Sequence, residues 1–99
     1  MKLQIQSLHF DADSKLLELI KKKMEKLETF HDKIIDGDVI LRVDKDIHQE
    51  NKVIECKVHI PGSQLFVKER SKTFEAAIDE AVEALKSQLK KHKEKLAKV

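Results

Sequence analysis

The chain has 99 residues, of which 40% are hydrophobic and 38% are charged, and it carries a net charge of +2. These values predict a single domain over residues 1–99 with a modest core, and no apolar run reaches the roughly 18 residues that a membrane span needs. The N-terminal stretch MKLQIQSLHF lacks the apolar block of a signal peptide, and the single cysteine, Cys56, excludes an internal disulfide, so we expect a cytoplasmic protein.

The N-terminal third predicts a strand followed by a helix. Residues 2–6 alternate between polar and apolar side chains, which is typical of a strand with one buried face. Asp11, Asp13 and Ser14 are candidate caps for a helix that begins near residue 14 and ends near Phe30. The broad apolar face of this helix consists of Leu16, Leu17, Leu19, Ile20, Met24 and Leu27.

Three further strands follow in the middle of the chain. Residues 38–43, 53–60 and 64–70 alternate in the same way as the first strand. The polar segment 44–52 is predicted to be a hairpin loop. Pro61 and Gly62 predict a tight turn, because proline presets φ and glycine tolerates a positive φ.

A second helix begins near Ser71 or Thr73, and it completes the order β-α-β-β-β-α. The connection through the first helix makes the first two strands parallel, whereas the remaining strands form antiparallel hairpins. The sequence therefore predicts an α+β fold in which a four-stranded mixed sheet carries both helices on one face.

The positive charge is concentrated at the C-terminal end. Residues 85–99 contain six lysines and one glutamate, a charge of +5. Two interpretations fit: lysine stems can run along the edges of an apolar stripe on a solvated helix, or both helices can present one basic surface to phosphates. The flanking lysines are Lys15, Lys22 and Lys26 in the first helix and Lys86, Lys90, Lys91, Lys93, Lys95 and Lys98 in the second.

The side chains that could support catalysis or bind a metal are not arranged to do so. Cys56 and His59 are three residues apart on a predicted strand, so they face opposite sides of it. The five histidines fit no zinc-binding spacing, and the two glycines form no phosphate loop. Asp36 and Asp38 are more simply turn formers. We therefore predict a protein that is not an enzyme and that needs no metal or cofactor.

Three apolar residues, Ile40, Val53 and Phe66, fall on the sheet face that points away from the helices. Scattered exposed apolar side chains are normal on protein surfaces. If the three were contiguous, they would instead mark a surface for a partner or for weak self-association.

Four segments together carry a family resemblance. They are MEKLETFHDKI (24–34), VILRVDK (39–45), AAID (76–79) and LKSQLKKHKEKL (85–96). In this order and spacing the chain resembles the ribosome hibernation-promoting factor family, which includes the ribosome-associated inhibitor A proteins and whose members are often labelled sigma-54 modulation proteins. The resemblance covers essentially the whole chain, at nearly the length of the short form. We therefore expect neither the acidic tail of some inhibitors nor the dimerisation domain of the long form.

The resemblance implies a β-α-β-β-β-α fold similar to that of double-stranded-RNA-binding domains. It also implies a partner, because known members bind the small ribosomal subunit over the decoding region, in the channel that messenger and transfer RNA use. They block translation there in stationary phase or stress, through the basic surface of the two helices. By position, the implied RNA-binding residues are Lys23, Lys26, Lys86, Lys90, Lys91, Lys93 and Lys95, with Lys22 and His92 beside them.

Two other functions stay open from the sequence. A protein–protein regulator, such as a modulator of a sigma factor, would depend on Ile40, Val53 or Phe66 rather than on the lysines. A general binder of double-stranded RNA would bind a plain duplex as tightly as it binds the ribosome.

Overall fold

The computed structural model describes residues 1–46 and 48–97, and side chains through residue 93 apart from Ile47. Within these residues no helix combines the length and the apolar character that a membrane crossing requires. The elements are β1 (Lys2–Ser7), α1 (Ser14–Glu25), a 3-10 turn (Lys26–Thr29), β2 (Asp36–Val43), β3 (Lys52–Ile60), β4 (Ser63–Ser71) and α2 (Phe74–Ala97).

The four strands form one sheet in the order β1-β2-β3-β4. β1 is parallel to β2, and the other two pairs are antiparallel. The register aligns Ile5, Val39, Cys56 and Val67 in one row across the sheet, on the face that packs against the helices. The predicted α+β architecture is confirmed, with both helices covering this single face.

The core lies between that sheet face and the two helices. Ile20 and Met24 of α1 are fully buried, as are Ile78, Leu85 and Leu89 of α2. Burial of each side chain of this size stabilises the folded protein by about 1.5–3 kcal/mol relative to leaving it exposed. The apolar seam of α2 therefore fixes the helix on the sheet, and its remaining surface is free to carry the lysines.

Both helices begin at predicted caps. An Asp13 carboxylate oxygen accepts a hydrogen bond from the Leu16 backbone N–H at 2.8 Å, and the Thr73 hydroxyl accepts one from the Ala76 N–H at 3.1 Å. α1 ends at Glu25, five residues before the predicted end. The chain tightens there into the 3-10 turn, in which the Phe30 N–H bonds to the Leu27 carbonyl at 3.0 Å.

Val53 was expected to be exposed on the outer sheet face, and the structure shows that this expectation is wrong. It lies on that face but is fully buried, so it is not an exposed apolar residue. Its cross-strand neighbours are Arg42 and Arg70, whose long stems can cover it. Ion pairs hold both guanidinium groups in place, Arg42 with Glu55 at 2.7 Å and Arg70 with Asp44 at 3.1 Å.

The remaining two residues of that predicted patch stay at the surface to different extents. Phe66 is 51% exposed, and Ile40 is half-buried. Both line one depression on the outer face. The apolar surface is thus smaller than the three residues suggested.

Cys56 is a core residue and not a nucleophile. Its side chain is fully buried in the row described above, and burial, helped by the charge of Glu69, raises the pKa of the thiol to about 12. The reactive thiolate is therefore scarce at neutral pH.

Candidate nucleic-acid interface

A groove runs between α2 and the end of α1 with its 3-10 turn, and we call it the lysine groove. Its first half, which begins at Lys23, is lined by Lys23, Lys26, Phe30, Asp79, Val82, Glu83 and Lys86. Its second half, toward the C-terminal end of α2, is lined by Thr29, Phe30, Lys86, Lys90 and Lys93. Phe30 and Lys86 belong to both halves, so the two form one continuous surface.

Helical spacing explains how α2 supplies three lysines to this groove. Lys86, Lys90 and Lys93 stand at positions i, i+4 and i+7, which lie on one face of an α-helix. The neighbouring seam residues Leu85 and Leu89 are fully buried. Core packing therefore turns the lysine face toward the groove.

Charge is distributed unevenly along the groove. In the first half, the Lys23 ammonium forms an ion pair with Asp79 at 2.9 Å, and Glu83 adds a second carboxylate to the lining. In the second half, the residues described along the lining include three lysines and no carboxylate. The positive potential is therefore strongest around Lys86, Lys90 and Lys93.

Phe30 lines the groove where the two halves meet. Its side chain is 38% exposed, and the Lys86 ammonium lies over its ring, 4.7 Å from the ring centre. This is a cation–π geometry. The chain has only four phenylalanines and no tryptophan or tyrosine, and the sequence pattern does not indicate which of the four lies among the lysines.

The structure places the predicted RNA-binding residues in three groups. Lys23, Lys26, Lys86, Lys90 and Lys93 line the groove. Lys22 and Lys91 are exposed but lie outside its lining, and His92 is half-buried with its ring 6.2 Å from that of His31. The side chain of Lys95 lies outside the described residues.

A second polar cluster lies on the outer sheet face. His59 is the cross-strand partner of Asp36, and its Nδ1 is hydrogen-bonded to that carboxylate, while Nε2 is 3.0 Å from the Gln64 side-chain oxygen. Asp38 lies close by, so three potential metal-ligand atoms fall within 4.8 Å of one another. Sequence spacing did not indicate this cluster, because strand pairing brings together residues that are 23 positions apart.

The His59–Asp36 pair predicts a defined pH dependence. The hydrogen bond to Asp36 is the main cause that raises the pKa of His59 above the ordinary histidine value of 6.5. A raised folded-state pKa contributes stability that is fully present below the unfolded pKa and is lost as the pH rises through the folded one.

We therefore expect Asp36→Asn to lower the pKa of His59 in an NMR titration. The free energy of unfolding of the wild type should exceed that of the variant most clearly below about pH 6.5, and the difference should shrink at higher pH. An unchanged His59 titration in the variant would contradict the assignment of this pair.

Comparison with known proteins agrees with the fold and the helices described above. Residues 3–97 match the family model described as Sigma 54 modulation protein / S30EA ribosomal protein. The chain is 33% identical over 95 residues to the ribosome hibernation promoting factor of Pseudomonas putida, covering 96% of this chain and 89% of that protein. It is 31% identical over 96 residues to the ribosome hibernation promoting factor of Escherichia coli, covering 97% of each.

Two solved structures share the architecture. A ribosomal subunit interface protein from Coxiella burnetii superposes with a TM-score of 0.84 at 26% identity, covering 94% of this chain and 98% of that one. The N-terminal domain of Thermus thermophilus Protein Y superposes with a TM-score of 0.81 at 24% identity, covering 93% and 99%. On the family match and these identities, the chain belongs to the Sigma 54 modulation protein / S30EA ribosomal protein family.

Proposed function

We propose that this chain is a ribosome hibernation factor, which binds the small ribosomal subunit near the decoding region and stops translation by occupying the messenger and transfer RNA sites. The relatives at 31–33% identity that are named ribosome hibernation promoting factors support this proposal. The observation that carries it is the lysine groove, a continuous surface to which both helices contribute lysines. A protein that binds ribosomes acts where they are found, so the proposed location is the cytoplasm.

The mechanism needs binding and no chemical step. Lysines neutralise phosphates and release condensed counterions, so affinity falls as salt rises. A groove set by two packed helices selects folded RNA by its shape, as other RNA-binding modules do. Inhibition then follows from occupancy of a site that translation requires.

The lining supports graded roles for the predicted residues. Lys26, Lys86, Lys90 and Lys93 would bind phosphates directly. Lys23 would contribute less, because Asp79 already pairs with it. The residues proposed as peripheral contacts are Lys22, Lys91, His92 and Lys95.

The proposal is tested by sucrose-gradient fractionation of stationary-phase cells, with the protein detected in each fraction. We expect it in the fractions that contain small subunits or whole ribosomes, and we expect the purified protein to inhibit translation in vitro. A protein that stays at the top of the gradient and leaves translation unaffected would favour a regulator that acts away from the ribosome. Comparable affinity for a plain duplex RNA would favour general double-stranded-RNA binding.

Asp79→Asn tests whether the carboxylates in the first half of the groove weaken its affinity for RNA phosphates. Removal of one carboxylate beside Lys23 frees that ammonium for a phosphate, so affinity for small subunits should rise a few fold and its dependence on salt should become steeper by about one contact. The cost to folding should be small, because such exposed pairs are worth about 0–1 kcal/mol. Weaker binding in this variant would indicate that Asp79 itself supports the interface.

A further inference from the structure

We propose that Phe30 is a stacking platform for an unpaired base of the ribosomal RNA, at the centre of the lysine groove. This inference rests on the proposed function and adds a second mode of recognition to it. Lysines alone bind the backbone of any RNA, whereas an aromatic ring binds a base that has left its stack.

The position of the ring fits this role. Phe30 is 38% exposed and belongs to the lining of both halves of the groove. Lys90 and Lys93 stand in the half where the described lining has no carboxylate, so phosphates would be held beside the ring. A nucleotide bound there would have its phosphate on the lysines and its base within reach of Phe30.

The backbone holds this platform in a fixed place. The N–H groups of Phe30 and His31 both donate to the Leu27 carbonyl, at 3.0 and 3.2 Å. His31 is buried directly after Phe30, and its Nδ1 accepts a hydrogen bond from the Lys33 N–H at 3.2 Å. Binding therefore has to order only the side chain of Phe30, which costs little entropy.

In the free protein Lys86 covers the ring of Phe30, and a base could replace it there when RNA binds. Its ammonium lies 4.7 Å from the ring centre. On RNA binding this ammonium can move to a phosphate and leave the ring to a base. Stacking on an aromatic side chain is a stronger contact than an exposed cation–π pair, so the exchange favours the complex.

The test uses the absence of tryptophan and tyrosine from the chain. Phe30→Trp, produced with 5-hydroxytryptophan, can be excited apart from the tryptophans of ribosomal proteins. Its fluorescence should be quenched on small subunits, because a stacked base contacts the indole, and not on a plain duplex RNA, whose bases are stacked inside. The matched control is Phe66→Trp, on the outer sheet face and 51% exposed.

Affinity measurements separate stacking from simple apolar contact. Phe30→Leu, which keeps an apolar side chain without a π face, should weaken binding to small subunits at least about fivefold at unchanged salt dependence. Phe30→Trp should retain or improve binding, and thermal unfolding checks that each variant is folded.

The outcomes distinguish this inference from the proposed function. The stacking role is overturned if Phe30→Leu binds with wild-type affinity, or if the probe at position 30 is not quenched. If binding still depends on the lysines in that case, the proposed function stays intact. If the wild-type protein does not bind small subunits, both fail.

Discussion

Reversal of charge at Lys86, Lys90 and Lys93 together should weaken binding to small ribosomal subunits about a hundredfold or more at physiological salt. Replacing one phosphate-binding lysine by a neutral residue is expected to reduce the slope of log affinity against log salt by about one. A glutamate at the same position also repels the phosphate, so it should weaken binding further. These lysines line the half of the groove whose described lining contains no carboxylate, so the loss should be largest there. Pelleting with ribosomal subunits over a series of salt concentrations measures both quantities.

A matched variant controls for overall charge. Lys2, Lys57 and Lys68 lie on the outer sheet face, and their reversal changes the net charge by the same −6, from +2 to −4. We expect this control to bind with at most a few-fold loss through long-range repulsion. Equal losses in the two triple variants would contradict an interface located on the helices.

Leu85→Ala should destabilise the protein by about 2–5 kcal/mol, because it removes a fully buried side chain from the seam of α2. Domains of this size are stable by only about 5–15 kcal/mol, so a large part of the stability would be lost. The midpoint of thermal unfolding should fall by about 10 °C or more. Circular dichroism during heating and denaturant titration measure these changes.

The effect on binding should follow from folding alone. Leu85 precedes Lys86 but faces the core, so the folded fraction of Leu85→Ala should bind small subunits as the wild type does. Leu17→Ala is the matched control, since this half-buried leucine of α1 lies away from the groove and should cost less. A loss below about 1 kcal/mol in Leu85→Ala would contradict the packing of α2 on the sheet.

The order of the elements and their buried faces could be predicted because short-range patterns determine them. Alternation identified all four strands, and the cap candidates, which included Asp13 and Thr73, indicated where the helices begin. The buried positions of α1 followed from the 3.6-residue period, as the burial of Ile20 and Met24 illustrates. These features depend on residues a few positions apart.

Features that depend on tertiary contacts could not be predicted in the same way. The pairing of Asp36 with His59 requires the strand register, and the same register sets Val53 between Arg42 and Arg70 of the neighbouring strands. The position of Phe30 depends on the early end of α1 at Glu25 and on the 3-10 turn after it. A helical wheel assumes a constant angle per residue, so it does not describe this change from α-helix to 3-10 turn. The ion pair between Asp79 and Lys23 likewise depends on how the two helices pack against each other.

Electron cryomicroscopy of the chain bound to the small ribosomal subunit would show which surface of the protein faces ribosomal RNA. An interface at the lysine groove predicts that the ammonium groups of Lys86, Lys90 and Lys93 lie within about 3 Å of RNA phosphate oxygens, with the outer sheet face turned away from them. A complex in which the sheet contacts the subunit, and these ammonium groups face solvent, would contradict it.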